Sequence, residues 1–153
     1  MNQIRKVQTL KCTKDEIWDF ISNPKNLSEI TPKKMGFNVL TKPLPNKVYE
    51  GMMIHYSVKP LLGIPLLWVT EITTVKDKQY FVDEQRIGPY KIWHHEHHIQ
   101  ELDNAEGIEM IDIISYVAPF GFIGRLMNRL FIRKQLDQIF DYRFNVLDKK
   151  YNK

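Results

Sequence analysis

Four histidines surround one glutamate in the stretch from Trp93 to Ile99, which reads WHHEHHI. Imidazole nitrogens and carboxylate oxygens bind transition metals, and they also move protons in general acid–base catalysis. A helical zinc motif of the form H-E-x-x-H needs a second histidine four residues after the first, but Ile99 stands at that distance from His95. His94 and His98 have the spacing, yet His95 occupies the position of the required glutamate. The cluster therefore does not match a helical zinc motif.

The histidine cluster is better explained as part of a β-strand. Gly88 and Pro89 precede it, and the segment IEMIDIISYV follows the turn-like DNAEG and can pair with it. A strand sends alternate side chains to opposite faces. One face then carries Trp93, His95, His97 and Ile99, and the other carries His94, Glu96, His98 and Gln100. Because Trp93 and Ile99 mark the inner face, we expect His95 and His97 to point inward and His94 and His98 toward solvent.

Two hairpin registers predict which residues flank the inward histidines. A tight connection at residues 88–90 pairs Asp83 with His95 and places Gln85 beside Trp93. A turn centred on residues 105 and 106 pairs His95 with Tyr116 and His97 with Ile114. These registers predict that Asp83, His95 and Tyr116 form one polar row across three strands. Gln85 lies near this row, and Asp112 is diagonal to His97.

The polar row has three interpretations from the residues alone. A buried carboxylate must be paired, so the row can be a satisfied network that holds the strands in register. It can also be a polar patch that orients one oxygen of a mostly apolar ligand. A metal held by His95, His97 and an aspartate is a third alternative, but we expect no metal and no other cofactor.

Length and composition predict one soluble domain that spans residues 1–153. The chain has 43% hydrophobic and 26% charged residues, with 22 basic residues against 18 acidic ones. This mild basic excess does not favour a nucleic-acid partner. Cys12 is a single cysteine, no apolar run resembles a signal peptide, and LLGIPLLWV is too short to span a membrane. We therefore expect a cytoplasmic protein.

The hydrophobic pattern predicts the order of the elements. A first strand over residues 4–11 precedes a helix that Thr13 and Glu16 cap, and a second short helix ends at Pro32. Period-two alternation then predicts six strands, at about 37–43, 48–59, 64–76, 79–87, 91–102 and 108–117. A long amphipathic helix follows over residues 122–149, with an apolar stripe that is expected to cover the sheet. This order predicts an α+β helix-grip fold, in which a curved seven-strand antiparallel sheet surrounds the last helix.

Several segments in this order resemble the SRPBCC, or START-like, superfamily, and more narrowly its bacterial ligand-binding branch. They are DEIWDFISNPKNLSEITP, GIPLLWVTEI, FVDEQRIGPYKIWHHEH and YVAPFGFIGRL. The resemblance implies a cavity between sheet and helix for a small hydrophobic or amphipathic molecule, which includes lipids, without intrinsic catalysis. The residues expected to contact this ligand are Ile54, Tyr56, Trp68, Thr70, Asp83, Gln85, Trp93, His95, His97, Asp112 and Tyr116.

The superfamily also includes polyketide cyclases, so an enzyme is the second hypothesis. His95 held by Asp83 could act as a general base while Tyr116 polarises a carbonyl, as in cyclase or dehydratase chemistry. The sequence contains no nucleotide or nucleophile motif that would favour another reaction class.

Connectivity predicts where a ligand enters. In an antiparallel meander the turns alternate between the two ends of the sheet, and one end collects apolar loop residues: Leu61, Leu62, Ile64, Tyr90, Phe120 and Phe122. Apolar loop tips are unfavourable in water unless they contact something. We expect them to form a gated mouth, as the corresponding loops do in START-like receptors, or a transient contact with a membrane or protein. The alternative is that they pack on one another and close the core.

Basic residues flank the apolar stripe of the last helix. They are Arg125, Arg129, Arg133, Lys134 and Arg143. We expect them on a solvated outer face, with membrane binding by this helix as the alternative. The sequence predicts neither the ligand's identity nor the oligomeric state.

Overall fold

The computed structural model describes residues 1–61, 63–103 and 106–153, without the side chains of Pro60 and Leu61. Its seven strands form one antiparallel sheet with the order β1-β7-β6-β5-β4-β3-β2. The strands are β1 (Asn2–Leu10), β2 (Asn38–Val39), β3 (Met53–Leu61), β4 (Ile64–Lys76), β5 (Tyr80–Ile87), β6 (Ile92–Glu101) and β7 (Ile108–Val117). The first strand closes the sheet against the last one, as a helix-grip fold requires.

A short helix, α1 (Lys14–Ile21), follows β1 and begins with the predicted capping box. Thr13 accepts a hydrogen bond from the backbone N–H of Glu16, and the Glu16 carboxylate accepts one from the backbone N–H of Thr13. The predicted second helix occurs as a 3₁₀ helix over Pro24–Ser28, and another 3₁₀ turn spans Lys33–Met35. These segments lie between β1 and β2 and border the concave face of the sheet.

The C-terminal helix runs without a break from Gly121 to Tyr151. It consists of α2 (Gly121–Met127), a π-helical turn (Asn128–Ile132) and α3 (Arg133–Tyr151). Gly124 is required for its tight start, because a Cβ atom there would lie 1.7 Å from the carbonyl oxygen of Pro119. The predicted long helix is confirmed.

The pairing of β4 with β5 contains two bulges, one in each strand. The pairing of β4 with β5 shifts between Val69 and Thr70 and again between Ile72 and Thr74. Such bulges increase local twist and let a strand curve. The α+β helix-grip architecture is confirmed, although β2 is shorter than predicted and residues 40–52 are not part of the strands.

The apolar stripe of the C-terminal helix covers the sheet only in its second half. Leu136, Phe140 and Leu147 of α3 are buried. The first half instead exposes large apolar side chains, which corrects the prediction that the whole stripe packs on the sheet. They are Phe122, Ile123, Leu126, Leu130 and Phe131.

Within the part of the chain that the structure describes, no helix is both long enough and apolar enough to cross a bilayer.

Candidate functional site

A cavity of about 170 Å³ lies between the concave face of the sheet and the C-terminal helix. Eight of the eleven side chains expected to contact a ligand line it: Ile54, Tyr56, Trp68, Thr70, Asp83, Trp93, His95 and His97. Further strand residues such as Val58, Ile72 and Phe81 also line it, and the rest of the wall comes from α1, the 3₁₀ region and α3, whose residues were not predicted as ligand contacts. Among them are Phe20, Leu27, Ile30, Leu136, Ile139, Phe140 and Arg143.

The faces of β6 are as the sequence predicted. His95 and His97 are each 5% exposed and line the cavity. The side chains of His94 and His98 are on the other face, with 37% and 26% exposure. His94 Nδ1 contacts Glu84 Oε1 at 2.9 Å, and His98 Nε2 contacts Glu96 Oε2 at 2.9 Å. The five-residue cluster is therefore divided into a buried pair and a surface group.

One of the two predicted registers is confirmed and the other is wrong. Asp83 pairs with His95 across β5 and β6. On the other side, however, His95 pairs with Ile114, His97 pairs with Asp112, and Tyr116 lies opposite Trp93. The predicted register of β6 with β7 is wrong by two residues. Each side chain therefore stays on its predicted face of the sheet, while its cross-strand partner on β7 changes.

The corrected register places each buried histidine between two aspartates. His97 Nε2 lies 2.7 Å from Asp83 Oδ2, and His95 Nε2 lies 3.0 Å from Asp112 Oδ1. The other ring nitrogens are also near carboxylates, with His95 Nδ1 3.4 Å from Asp83 Oδ2 and His97 Nδ1 3.1 Å from Asp112 Oδ1. The two rings lie 3.7 Å apart, centroid to centroid. Asp83, His95, His97 and Asp112 thus form one network, which we call the buried tetrad.

Arg143 of α3 completes the buried tetrad from the opposite wall. It is 6% exposed, which corrects the expectation of a solvated outer position. Its Nε lies 3.4 Å from Asp112 Oδ2, and its Nη2 lies 3.2 Å from His97 Nδ1. A neutral His97 accepts from Arg143 at Nδ1, whereas a protonated His97 donates from that nitrogen to Asp112. The arginine therefore attaches the helix to the polar centre of the sheet.

The contacts within the buried tetrad shift the pKa values of its members in different directions. Burial raises the pKa of the Asp112 carboxyl, but Arg143 and both imidazoles outweigh burial and hold this pKa well below its usual range. Burial and the neighbouring His97 lower the pKa of His95 to about 4. Burial also opposes protonation of His97, yet hydrogen bonds with Asp112 and Asp83 raise its pKa. At neutral pH His95 is therefore uncharged and Asp112 is a carboxylate.

Tyr116, Gln85 and Asp112 do not line the cavity. The Tyr116 hydroxyl donates to Asn128 Oδ1 at 2.8 Å and attaches β7 to the π-helical turn. The Gln85 side chain bonds to the backbone of Tyr90 and holds the β5–β6 connection. The predicted row is therefore wrong at Tyr116, which lies opposite Trp93 and not beside His95, so it is not placed to polarise a carbonyl there, whereas the pairing of Asp83 with His95 is as predicted.

The upper wall of the cavity is aromatic. Trp68 stacks on Tyr56 with ring centroids 5.9 Å apart and meets Trp93 edge-on at 5.2 Å. The Tyr56 hydroxyl bonds to Thr70 Oγ1, so both of these hydroxyls are satisfied. Trp68 Nε1 is buried and, among the described residues, has no hydrogen-bond partner. Since Trp68 lines the cavity but this atom has almost no accessible surface, a ligand oxygen can pair with it once the indole rotates.

Of the predicted mouth residues, Tyr90 lines the cavity, whereas Ile64, Phe120 and Phe122 do not. Ile64, Phe120 and Phe122 are 55%, 81% and 72% exposed and do not line the cavity, whereas Tyr90 packs inward on Trp68. Leu62 is outside the described residues, as is the side chain of Leu61. Most lining residues that keep partial exposure lie in the 3₁₀ region and α3: Asn23, Asn26, Leu27, Thr31, Gln135 and Ile139. The others are Phe37, Asp83 and Tyr90. The rim of the cavity is therefore between the 3₁₀ segments and α3.

Cys12 is not an activated nucleophile. Burial, followed by the nearby Glu16 carboxylate, raises the pKa of its thiol to about 11. Reactive cysteines have a lowered pKa, because the thiolate is the nucleophile.

Comparison of the whole architecture with solved structures identifies the fold. A START superfamily protein from Mycobacterium smegmatis has a TM-score of 0.71 and 9% identity, with 98% of this chain and 97% of that chain covered. The chain has the same fold as this START superfamily protein. TTHA0849 from Thermus thermophilus also has a TM-score of 0.71, with 13% identity and coverage of 97% and 95%. A protein from Arthrobacter aurescens has a TM-score of 0.70 with 12% identity, covering 96% and 86%.

No protein-family model and no curated protein matches the sequence. At identities this low, the structural neighbours establish the fold and leave the ligand to be inferred from the site.

Proposed function

We propose that this protein binds one small, mostly apolar molecule in the cavity between sheet and C-terminal helix. The observation that carries the proposal is a cavity of about 170 Å³ whose wall is largely aromatic and aliphatic, with a few polar groups at defined positions. This combination is typical of small-molecule sites.

The cavity volume limits the ligand's size. An engineered protein cavity of roughly 150 Å³ holds benzene, so about 170 Å³ suits a single aromatic ring with a short substituent. A lipid with long acyl chains would need the rim to open. The polar contact across this rim between Lys34 Nζ and Gln138 Oε1, 2.7 Å apart, is exposed, and exposed contacts of this kind cost little to break.

The ligand carries a hydrogen-bond acceptor in this proposal. Trp68 Nε1 offers a donor without a partner among the described residues, and burying an unpaired donor is unfavourable. A carbonyl or ether oxygen placed there would satisfy the indole while the ring of the ligand contacts Tyr56 and Trp93.

Substitution Trp68→Phe tests this contact with two ligands of nearly the same shape. Acetophenone has a carbonyl oxygen where α-methylstyrene has a methylene group. We expect Trp68→Phe to weaken acetophenone binding by about 1 kcal/mol, or about fivefold in Kd, and to leave α-methylstyrene binding nearly unchanged. Calorimetric titration of both ligands gives the two ratios.

The control is Trp18→Phe, because Trp18 is 1% exposed in the core and does not line the cavity. It should change neither affinity. Equal losses for both ligands in Trp68→Phe would show that the indole contributes shape rather than a hydrogen bond. If the wild-type protein binds neither ligand, the proposed ligand class is wrong.

A second proposal concerns the exposed first half of the C-terminal helix. It presents Phe122, Ile123, Leu126, Leu130 and Phe131 to solvent, with Phe120 next to them. We call this set the apolar helix face. Apolar surface of this extent marks an interaction site, and its occupant here is proposed to be a membrane with anionic lipids.

The charges beside the apolar helix face favour a lipid surface over an apolar protein partner. Arg125 and Arg129 are exposed on the same helix one turn apart, and the chain has a net charge of +4. Arginines beside inserted phenylalanine and leucine are typical of interfacial helices, where they contact lipid phosphates. A protein that docks there could exchange an apolar ligand with the bilayer.

A further inference from the structure

Three cavity-lining side chains of the buried tetrad offer metal-binding atoms at one point. Asp83, His95 and His97 each have a ligand atom within 4.8 Å of the corresponding atoms of the other two. Asp83 Oδ2 lies 2.7 Å from His97 Nε2 and 3.4 Å from His95 Nδ1. The spacing of the sequence excludes a helical zinc motif, but these donors come from two neighbouring strands, β5 and β6.

Asp112 fixes the orientation of both imidazoles from behind. Its Oδ1 lies 3.0 Å from His95 Nε2 and 3.1 Å from His97 Nδ1, the two ring nitrogens that do not face Asp83. Asp112 does not line the cavity, whereas Asp83 and both histidines do. Metal-binding histidines characteristically donate their other N–H to a carboxylate, which fixes the tautomer and the ring orientation.

We propose that Asp83 Oδ2, His95 Nδ1 and His97 Nε2 bind one divalent transition-metal ion, with Asp112 as the positioning residue for both imidazoles. Two imidazoles and one carboxylate on one side leave the coordination positions that face the cavity open to water or a ligand oxygen. This donor set suits Zn²⁺, Co²⁺ or Fe²⁺, whereas Mg²⁺ and Ca²⁺ prefer oxygen ligands throughout.

The charges of the site fit a cation. Metal binding requires both imidazoles to be neutral, and in that state two carboxylates and the Arg143 guanidinium present one net negative charge to the ion. A divalent ion would reverse this charge, and an anionic ligand oxygen at an open position could balance it. When His97 Nε2 binds the metal, the ring proton is on Nδ1 and is donated to Asp112, so Arg143 keeps only its contact with the other oxygen of that carboxylate.

Zinc binding requires small movements of the three donor atoms, which all lie within 4.8 Å of one another. Donor atoms around a tetrahedral zinc ion lie about 3.3 Å apart, given bonds of about 2.0 Å. The separation of His95 Nδ1 and Asp83 Oδ2 already has this value within about 0.1 Å, while the hydrogen-bonded pair of His97 and Asp83 must separate by about 0.6 Å. The Asp83 side chain is 14% exposed and borders the cavity, so it has room to rotate.

Titration of the metal-free protein with Co²⁺ tests the proposal, because bound Co²⁺ has visible absorption bands that report its ligands. We expect binding of one ion per chain and displacement by Zn²⁺. Asp83→Asn and His97→Gln should abolish the bands. Asp112→Asn should keep one site per chain and weaken affinity about 10–100-fold, as loss of an orienting carboxylate does.

The double variant His94→Gln/His98→Gln is the matched control. It removes two histidines from the same strand, and their surface group with Glu84 and Glu96 is the alternative location for a metal. Binding that persists in this control and disappears in Asp83→Asn supports the buried site. Binding that disappears in the control places the metal on the surface and overturns the proposal.

A measurement on the wild-type chain covers the case in which the buried variants do not fold. Zn²⁺ should shift the imidazole ¹⁵N resonances of His95 and His97 and leave those of His55, His94 and His98 unchanged. If Zn²⁺ leaves the resonances of His95 and His97 in place, or if no Co²⁺ binds, the inference is wrong.

Discussion

Replacing Arg143 by methionine is expected to lower the free energy of unfolding by about 3–5 kcal/mol, because it removes one partner of a buried ion pair. Asp112 would then remain buried near Asp83 without the guanidinium that lies 3.4 Å from its carboxylate. Methionine approximates the aliphatic part of the arginine. The decrease in the free energy of unfolding therefore reflects the lost charge more than lost packing. Urea denaturation monitored by circular dichroism measures the change.

The matched control for this change is Arg129→Met on the same helix. Arg129 is exposed, so we expect its substitution to alter stability by less than about 0.5 kcal/mol. Adding Asp112→Asn to Arg143→Met should recover part of the loss, with a coupling energy of about 0.5–3 kcal/mol. A loss below about 1 kcal/mol in Arg143→Met would mean that Arg143 does not stabilise the buried tetrad.

Replacing Phe122 and Leu126 together by aspartate should abolish most membrane binding. Both side chains belong to the apolar helix face and are 72% and 58% exposed, so their replacement should not disturb the core. The change removes two side chains that would enter the bilayer interface and adds two charges that anionic lipids repel. We expect at least about a tenfold fall in partition onto vesicles that contain phosphatidylglycerol, which corresponds to about 1.4 kcal/mol. Co-sedimentation measures the partition.

Tyr49→Asp provides the control for vesicle binding. Tyr49 is also an exposed aromatic residue, with 56% exposure, but it lies in the connection before β3. This connection is attached to β4, where the backbone N–H of Gly51 donates to the carbonyl oxygen of Ile72. This variant should bind vesicles like the wild-type protein. The membrane proposal fails if the wild-type protein does not bind anionic vesicles, or if Phe122→Asp/Leu126→Asp binds them unchanged.

The sequence predicted the face of the sheet on which each site residue lies better than it predicted the cross-strand partner of that residue. Trp93 and Ile99 alternate with the histidines, and this period of two fixes the face of every residue in β6. The partner of His97 depends instead on the length of the β6–β7 connection, where Glu101 pairs with Ile108. A shift of two residues keeps the hydrophobic pattern, so the pattern alone could not decide between Ile114 and Asp112 as that partner.

The contribution of the C-terminal helix was harder to predict. Arg143 occurs in a helix with several exposed basic residues, and its sequence neighbours do not distinguish it from Arg129 or Arg133. Arg143 can be buried because its charge pairs with the carboxylate of Asp112, which lies on a strand distant in sequence. The apolar stripe likewise predicted a helix that covers the sheet, but it could not show that α3 alone performs this role. Contacts between elements far apart in sequence are not contained in local periodicity.

The central claim is that the cavity holds a small aromatic or similarly apolar molecule, and methyl NMR during titration with acetophenone tests it most directly. An aromatic ring shifts the resonances of the methyl groups it contacts. We predict saturable shifts for the cavity-lining residues Ile54, Ile72 and Ile139, and none for the buried residues Ile4, Ile108 and Ile114 outside the cavity. Absence of saturable shifts, or shifts confined to exposed residues such as Ile64 and Ile123, would contradict the account.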